Sequence, residues 1–328
     1  MPRFAVRILL LASLLFLGTC RDSTSPPVPA GVVVSAPGTT LESLGETLQL
    51  QARVTDKKGK ALSGVAVGWA SSDEGVAGVS ATSGLVTAVG QGSVTVTATA
   101  DGAQGFITLT VTQEPASLEK VQGDGQEGTV GEVLAREAQV KVLDSGGSPI
   151  PGIAVGFVVS SGGGSVTSEV VPSTAEGIAS VAWTLGTDTG LSQTLTATVE
   201  GLSTEFSATA GPGPAVALEI SEGDGQTGQA LQALPLELGV RVSDGYGNPV
   251  SGVDVQWSAE SESGSPTPES SSTNAAGVAV SNWTLGPLVG SQMATASVDD
   301  LGSVSFTAAA LSPPIAEITL TPPDPSLE

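Results

Sequence analysis

Residues 123–186 of this 328-residue chain return at 223–286 with a constant offset of one hundred positions. Gly123-Asp124-Gly125-Gln126 recurs as Gly223-Asp224-Gly225-Gln226. Asp144, Gly147, Pro149, Gly152 and Val155 recur as Asp244, Gly247, Pro249, Gly252 and Val255. Gly177, Trp183, Leu185 and Gly186 recur as Gly277, Trp283, Leu285 and Gly286. One residue drops out near Gly190, and the register returns at Phe206 and Phe306. Self-similarity at a fixed period marks one structural unit copied along the chain. An earlier stretch is a cousin of the two copies, with Asp56, Gly59, Gly64, Val67 and Trp69 in the same order. The spacing from the Asp to the aromatic is the same in Asp56 to Trp69, Asp144 to Phe157 and Asp244 to Trp257. It reads as strand, turn, strand. Asp can bond its own backbone in a turn, and Gly accepts positive φ there.

Within each unit, apolar and polar residues alternate with period two, the mark of half-buried strands. Leu48, Leu50, Ala52 and Val54 alternate with Gln49, Gln51 and Arg53. Val94, Val96 and Ala98 alternate with threonines, as do Ile107, Leu109 and Val111, and Leu195, Ala197 and Val199. Leu236, Leu238, Val240 and Val242 form a further run. Gly, Asn, Asp and Pro clusters separate the runs, as turns do, and past the N-terminus no stretch has helical period. Short strands at regular spacing predict an all-β sandwich or barrel. Trp69, Phe157 and Trp257 fall on the same face as Val67, Val155 and Val255 and are expected to anchor cores between sheets, as are the in-strand Trp183 and Trp283.

Residues 31–113 resemble a bacterial immunoglobulin-like domain of group 2 through Trp69-Ala70-Ser71-Ser72-Asp73, Val76-Ala77, Val79, Ser83-Gly84-Leu85-Val86 and the strand from Gly92. Residues 115–211 and 214–310 resemble the group 1 Ig-like domains of invasin and intimin stalks. That likeness rests on the Gly-Asp-Gly-Gln opening, the Asp-x-x-Gly-x-Pro turn and the Trp-Thr-Leu-Gly strand. The resemblance implies tandem immunoglobulin-like β-sandwiches. The junctions Gln113-Glu114-Pro115 and Gly211-Pro212-Gly213-Pro214 are short and proline-containing, which predicts an elongated array with little contact across them. With ten-residue strands of about 33 Å, three domains would extend on the order of 100 Å. Pro314 to Pro322, in the tail 312–328, reads as the first strand of a further unit.

The N-terminus reads as an export signal over 1–19: Arg3 and Arg7 precede an apolar run from Ile8 to Gly18, shorter than the roughly 20 residues of a membrane span. Leu17-Gly18-Thr19-Cys20 resembles the lipobox of bacterial lipoproteins, with Thr19 where Gly or Ala is usual. That resemblance implies cleavage before Cys20 and lipid on it. Arg21 follows, where an Asp in enteric lipoproteins holds them at the inner membrane, so the resemblance implies the outer membrane. Residues 20–30, rich in Ser, Thr and Pro, read as a tether. Cys20 is the one cysteine, so no intrachain disulfide forms.

Charge narrows the partners. The chain carries 11 basic and 33 acidic residues, a net −22. Such a balance repels nucleic acid and anionic lipid head groups, and both are discounted as partners. Chemistry is equally constrained. Histidine is absent, so Cys/His zinc sites and the common nucleophile–base pairs cannot be built. Gly123 to Gly128 and Gly223 to Gly228 fit G-x-G-x-x-G, yet strand patterns follow where a dinucleotide site needs a helix. Asp188-Thr189-Gly190 fits the aspartic-protease triplet, but that chemistry takes a second such carboxylate, and the copy has Leu288-Val289-Gly290. Gly162-Gly163-Gly164 lacks the Gly-Lys-Ser/Thr of a P-loop. Calcium takes carboxylate and carbonyl oxygens, which the turns at Asp244 to Asn248, Asp124, Asp224 and Asp299-Asp300 supply, but no EF-hand spacing is present and these are expected to be solvated turns. No catalytic residue, metal or cofactor is therefore expected. The expected function is a non-catalytic, lipid-anchored envelope stalk or adhesion module, joined to the membrane through Cys20 and meeting a protein or polysaccharide ligand. The alternatives are an accessory carbohydrate- or matrix-binding region of a longer secreted enzyme, or a periplasmic scaffold.

Overall fold

A computed structural model of the chain describes residues 27–313. The export signal, Cys20 and the strand expected from Pro314 lie outside the described residues. Every regular element among the described residues is a β-strand. They group into two compact units, one ending at Gln113 and one beginning at Glu114.

The first unit is a single sandwich. One sheet orders Thr40–Leu41, Ala103–Val111, Gly92–Ala100 and Gly68–Ser71. Facing it are the pair Gly31–Ser35 with Gln51–Thr55, and the three strands Thr47–Gln49, Leu85–Ala88 and Ala77–Val79. The long hairpin Gly92–Ala100/Ala103–Val111 turns Val94, Val96, Ala98 and Ala100 inward, all buried, against Leu41, Leu109 and Trp69. The alternating run Leu48–Val54 is two strands rather than one: Thr47–Gln49 pairs with the segment from Leu85, and Gln51–Thr55 with Gly31–Ser35. Alternation records which face is buried but not which neighbour is paired, so it passes over the change of partner at Leu50.

The second unit holds two sandwiches of the same topology. In residues 115–211, Ser117–Gln122, Ala138–Leu143 and Ile178–Val181 form one sheet. The other orders Gln126–Thr129, Leu202–Gly211, Gln193–Val199, Ala154–Ser161 and Val170–Pro172. In residues 214–311 the same places are taken by Ala215–Glu222, Leu238–Asp244 and Val278–Thr284, and by Gln226–Gln229, Gly302–Leu311, Gly290–Val298, Asp254–Ala259 and Ser270–Ser272. In each, the short opening strand pairs parallel with the last strand, while the preceding strand pairs antiparallel in the opposite sheet. The chain thus crosses between sheets at the Gly-Asp-Gly segment.

Phe157, Trp183 and Trp283 are 0% exposed, Trp257 3% and Trp69 8%. Truncating such a side chain to Ala costs about 3–5 kcal/mol. Trp257 packs against Phe306 with ring centroids 6.0 Å apart. Leu236 departs from its predicted place: it is 58% exposed and precedes the strand Leu238–Asp244. Its backbone is held by a side chain instead, since its N–H donates to Gln226 Oε1 and its carbonyl accepts from Gln226 Nε2.

Candidate functional site

The motifs that suggest chemistry are stitches between strands. Asp124 Oδ1 accepts from the Ser207 N–H at 2.9 Å and the Ser207 hydroxyl at 3.2 Å. Asp224 Oδ1 accepts from the Thr307 N–H at 2.8 Å and the Thr307 hydroxyl at 3.1 Å. The hydrogen bond from Lys120, then that from Ser207, holds the Asp124 carboxyl below its ordinary range. For Asp224 the Thr307 N–H does the same. Gln126 donates to the Gly123 and Arg136 carbonyls and accepts from the Arg136 N–H; Gln226 repeats this on Gly223 and Leu236. The Gly-Asp-Gly-Gln segment therefore fastens the crossover between sheets, with Oδ1 of each Asp and both ends of each Gln amide already engaged. The glycine of Trp-Thr-Leu-Gly has an equally local reason. A Cβ on Gly186 would lie 1.8 Å from the Gly162 carbonyl oxygen, and one on Gly286 lies 1.8 Å from that of Glu262.

Among the described residues no group of three or more His, Cys, Asp or Glu is placed to hold a metal ion. At Asp244 the carboxylate is taken up by N–H donors. Oδ1 accepts from the Tyr246 and Asn248 N–H groups, both at 2.9 Å; Oδ2 accepts from the Gly213 N–H and from Asn248 Nδ2, both at 2.9 Å. Asp244 is 3% exposed. Burial pushes its carboxyl up, but the Asn248 amide and the Gly213, Asn248 and Tyr246 N–H groups outweigh that and hold it below its ordinary range. A carboxylate whose lone pairs all face N–H groups is built to hold a turn.

That turn joins two domains. Asn248, 7% exposed, sends Nδ2 to the Thr187 carbonyl at 2.9 Å, and its Oδ1 accepts from the Thr189 N–H at 3.1 Å and the Thr189 hydroxyl at 3.4 Å. One amide side chain thus bonds the Thr187 carbonyl and the Thr189 N–H across the junction and the Asp244 carboxylate on its own side. Gly213, in the connection itself, is tied to Asp244. Tyr246 lies against Gly131 of the preceding domain, where a Cβ would come within 2.7 Å of its hydroxyl. The expectation of little contact across the junctions fails here. Its reason is chemical: a buried side chain with every polar atom bonded is strongly oriented, and losing one partner leaves the other unsatisfied. The Asp188-Thr189-Gly190 triplet is part of this joint, with Asp188 Oδ1 accepting from the Gly190 N–H at 2.7 Å. A shallow cleft of about 510 Å³ runs along it, lined by residues 187–190 and 246–249.

The same Asp turn occurs three times. Asp56 Oδ1 accepts from the Lys58 and Lys60 N–H groups at 2.8 and 2.9 Å, and Asp144 Oδ1 from those of Gly146 and Ser148 at 3.0 and 2.8 Å. Asn248 enters the sequence reading only as the end of an oxygen-rich turn, not as a bond between domains. The signal was the contrast of Ser148 with Asn248 at matching positions. Gln193 and Gln292, each accepting from the N–H of the motif glycine, were hidden by the one-residue slip between the copies.

Residues 30–111 match the family model of the bacterial Ig-like domain (group 2). No curated protein matches the chain. Among solved structures, domains 4–9 of the surface layer protein SbsC are 18% identical with a TM-score of 0.27, covering 87% of this chain and 48% of that one. This chain thus spans about half of that structure. FdeC, described as an Escherichia coli adhesin, is 16% identical with a TM-score of 0.37, over 85% of this chain and 96% of that one. The D0-D1 domain of intimin is 16% identical with a TM-score of 0.23, over 59% and 95%.

Proposed function

We propose that this chain is a non-catalytic, exported envelope protein whose tandem Ig-like domains act as a stalk carrying interaction surfaces, held to the membrane by lipid on Cys20. The observation that carries the stalk reading is the Asn248 joint, a buried side-chain connection that restrains one sandwich against the next. A stalk needs restrained joints; an independent binding module on a flexible linker does not. The Asp and Gly motifs support a non-catalytic reading, because their polar atoms are spent on fastening strands. All four Trp side chains are at most 8% exposed, which disfavours an indole platform for stacking on sugars. The signal-like segment ending at Cys20 supports the anchor.

Protease shaving of intact cells, with a Cys20→Ala control, tests this reading. External protease should remove the domains, and the Cys20→Ala variant should be shed into the medium. Domains that survive until the envelope is broken would sink the surface-stalk reading in favour of a periplasmic scaffold.

A further inference from the structure

The Asp turn of the third sandwich abuts what precedes it in the chain: Asn248 and Tyr246 meet the loop Thr187–Thr189 and Gly131 of the second sandwich. In the first sandwich the corresponding turn abuts the segment by which the polypeptide arrives. Ala30 N–H donates to the Thr55 carbonyl at 2.8 Å, and Pro27 shares one hollow with Asp56, Lys57 and Lys58 and another with Asp56 and Lys60. The side chains differ accordingly. The third turn carries Gly245, Tyr246, Gly247 and Asn248, and the second Ser145, Gly146, Gly147 and Ser148, all uncharged. The first carries Lys57, Lys58 and Lys60, all exposed, and none forms an ion pair among the described residues. The turn does not need these lysines, since Asp144 and Asp244 hold the same hydrogen bonds without them. Three cations within four positions also stand out in a chain with a single basic residue, Arg241, beyond Lys141.

We propose that Lys57, Lys58 and Lys60 form a contact surface for the anionic head groups of the membrane to which the tether leads. The inference rests on the lipid-anchored reading for its biological setting. Pro27 lies only seven positions after Cys20, an extended reach of at most about 25 Å. An anchored Cys20 therefore keeps the lysine turn within about 25 Å of the bilayer surface, close enough to touch it. Screening limits electrostatics to about 8 Å at physiological salt, so the net charge of −22 does not decide what this local cluster meets. Anionic lipid head groups, discounted on overall charge, return as a partner for this one turn. A basic patch beside an acyl anchor supplies a second membrane signal.

The test replaces the acyl anchor so that it stands apart from lipidation in the cell. The chain from residue 21, with an N-terminal hexahistidine tag, is attached to vesicles bearing a nickel-chelating lipid. Retention is compared on phosphatidylcholine vesicles and on vesicles with one-third phosphatidylglycerol. Retention on the anionic vesicles should be longer by at least about tenfold, since each lysine at the surface contributes roughly fivefold and two of the three already exceed that. That gain should vanish in the Lys57→Gln/Lys58→Gln/Lys60→Gln variant and, for the unaltered chain, at 0.5 M salt. Equal retention on both vesicles, or a gain that the triple variant keeps, overturns the proposal. So does a preference for a soluble acidic polysaccharide with none for anionic vesicles, which would assign the turn to a polyanionic partner. Absence of lipid on Cys20 in cells would refute the anchor and leave this measurement unchanged.

Discussion

The sandwiches at 115–211 and 214–311 share their fold and motif glycines but satisfy their buried polar groups differently. Trp283 donates its indole N–H to the Ser263 carbonyl at 2.8 Å, whereas the equally buried Trp183 N–H has no partner among the described residues. The facing loops explain this: Gly162, Gly163 and Gly164 all have positive φ, while the other copy runs through Glu262 and Gly264 with Ser263 between them. Phe157 and Trp257 show the converse. Trp257 donates to Ser271 Oγ, and where the aromatic is Phe157 the matching position is Val171. Donor and acceptor change together there, which is nearly neutral energetically, while a lone change leaves a group unsatisfied. The shared residues set backbone paths, and the side chains that differ set how tightly each copy is held.

The largest effect should come from what the copies share. Gly186→Ala and Gly286→Ala each drive a Cβ to 1.8 Å from a carbonyl oxygen, and each should cost roughly 3 kcal/mol or more. Urea unfolding would read this, and tolerance of one but not the other would break the equivalence of the two loops. A smaller effect separates the copies. Trp283→Phe removes a hydrogen bond that Trp183→Phe does not, so it should cost about 1 kcal/mol more; equal losses would mean that the Trp183 N–H finds a partner in solution.

The smallest effect concerns acid and salt. Asp124 and Asp224 are held below the ordinary 3.8 in the folded chain. Their contribution is full above about pH 4 and is lost as pH falls through the lowered folded values. Wild type should therefore exceed Asp124→Asn and Asp224→Asn in melting temperature at pH 7, and the gap should close toward pH 2. Among the described residues Lys120 forms its ion pair with Asp124, also donates to the Glu205 carbonyl at 3.0 Å and sits 5.8 Å from the centre of the Phe206 ring; its counterpart is Ile220. Lys120→Ile should change stability by less than about 0.5 kcal/mol, and 0.5 M salt should narrow the Asp124 gap but not the Asp224 gap. A salt-sensitive Asp224 would contradict this.

The strands were legible because two-residue alternation reports a buried face directly: Leu195, Ala197 and Val199 are all buried in one strand. The repeat exposed the shared Gly-Asp-Gly-Gln and Trp-Thr-Leu-Gly segments but not their purpose, which depends on distant backbone such as Ser207 and Gly162. Asn248 was illegible for the same reason. Its partners Thr187 and Thr189 lie about 60 positions earlier, and no local pattern announces a side chain that bonds across a junction. The lysine turn was visible as letters, but only its closeness to Pro27 gives it a direction.

The claim on which the stalk reading rests is that Asn248 holds the second and third sandwiches in one orientation. It is tested by electron–electron dipolar distances between spin labels at Ser203→Cys and Ser303→Cys, exposed and matching positions, in a Cys20→Ser background. The account predicts one narrow distance distribution that broadens in Asn248→Ala. A distribution already broad with Asn248 in place, or one that stays narrow without it, would contradict it.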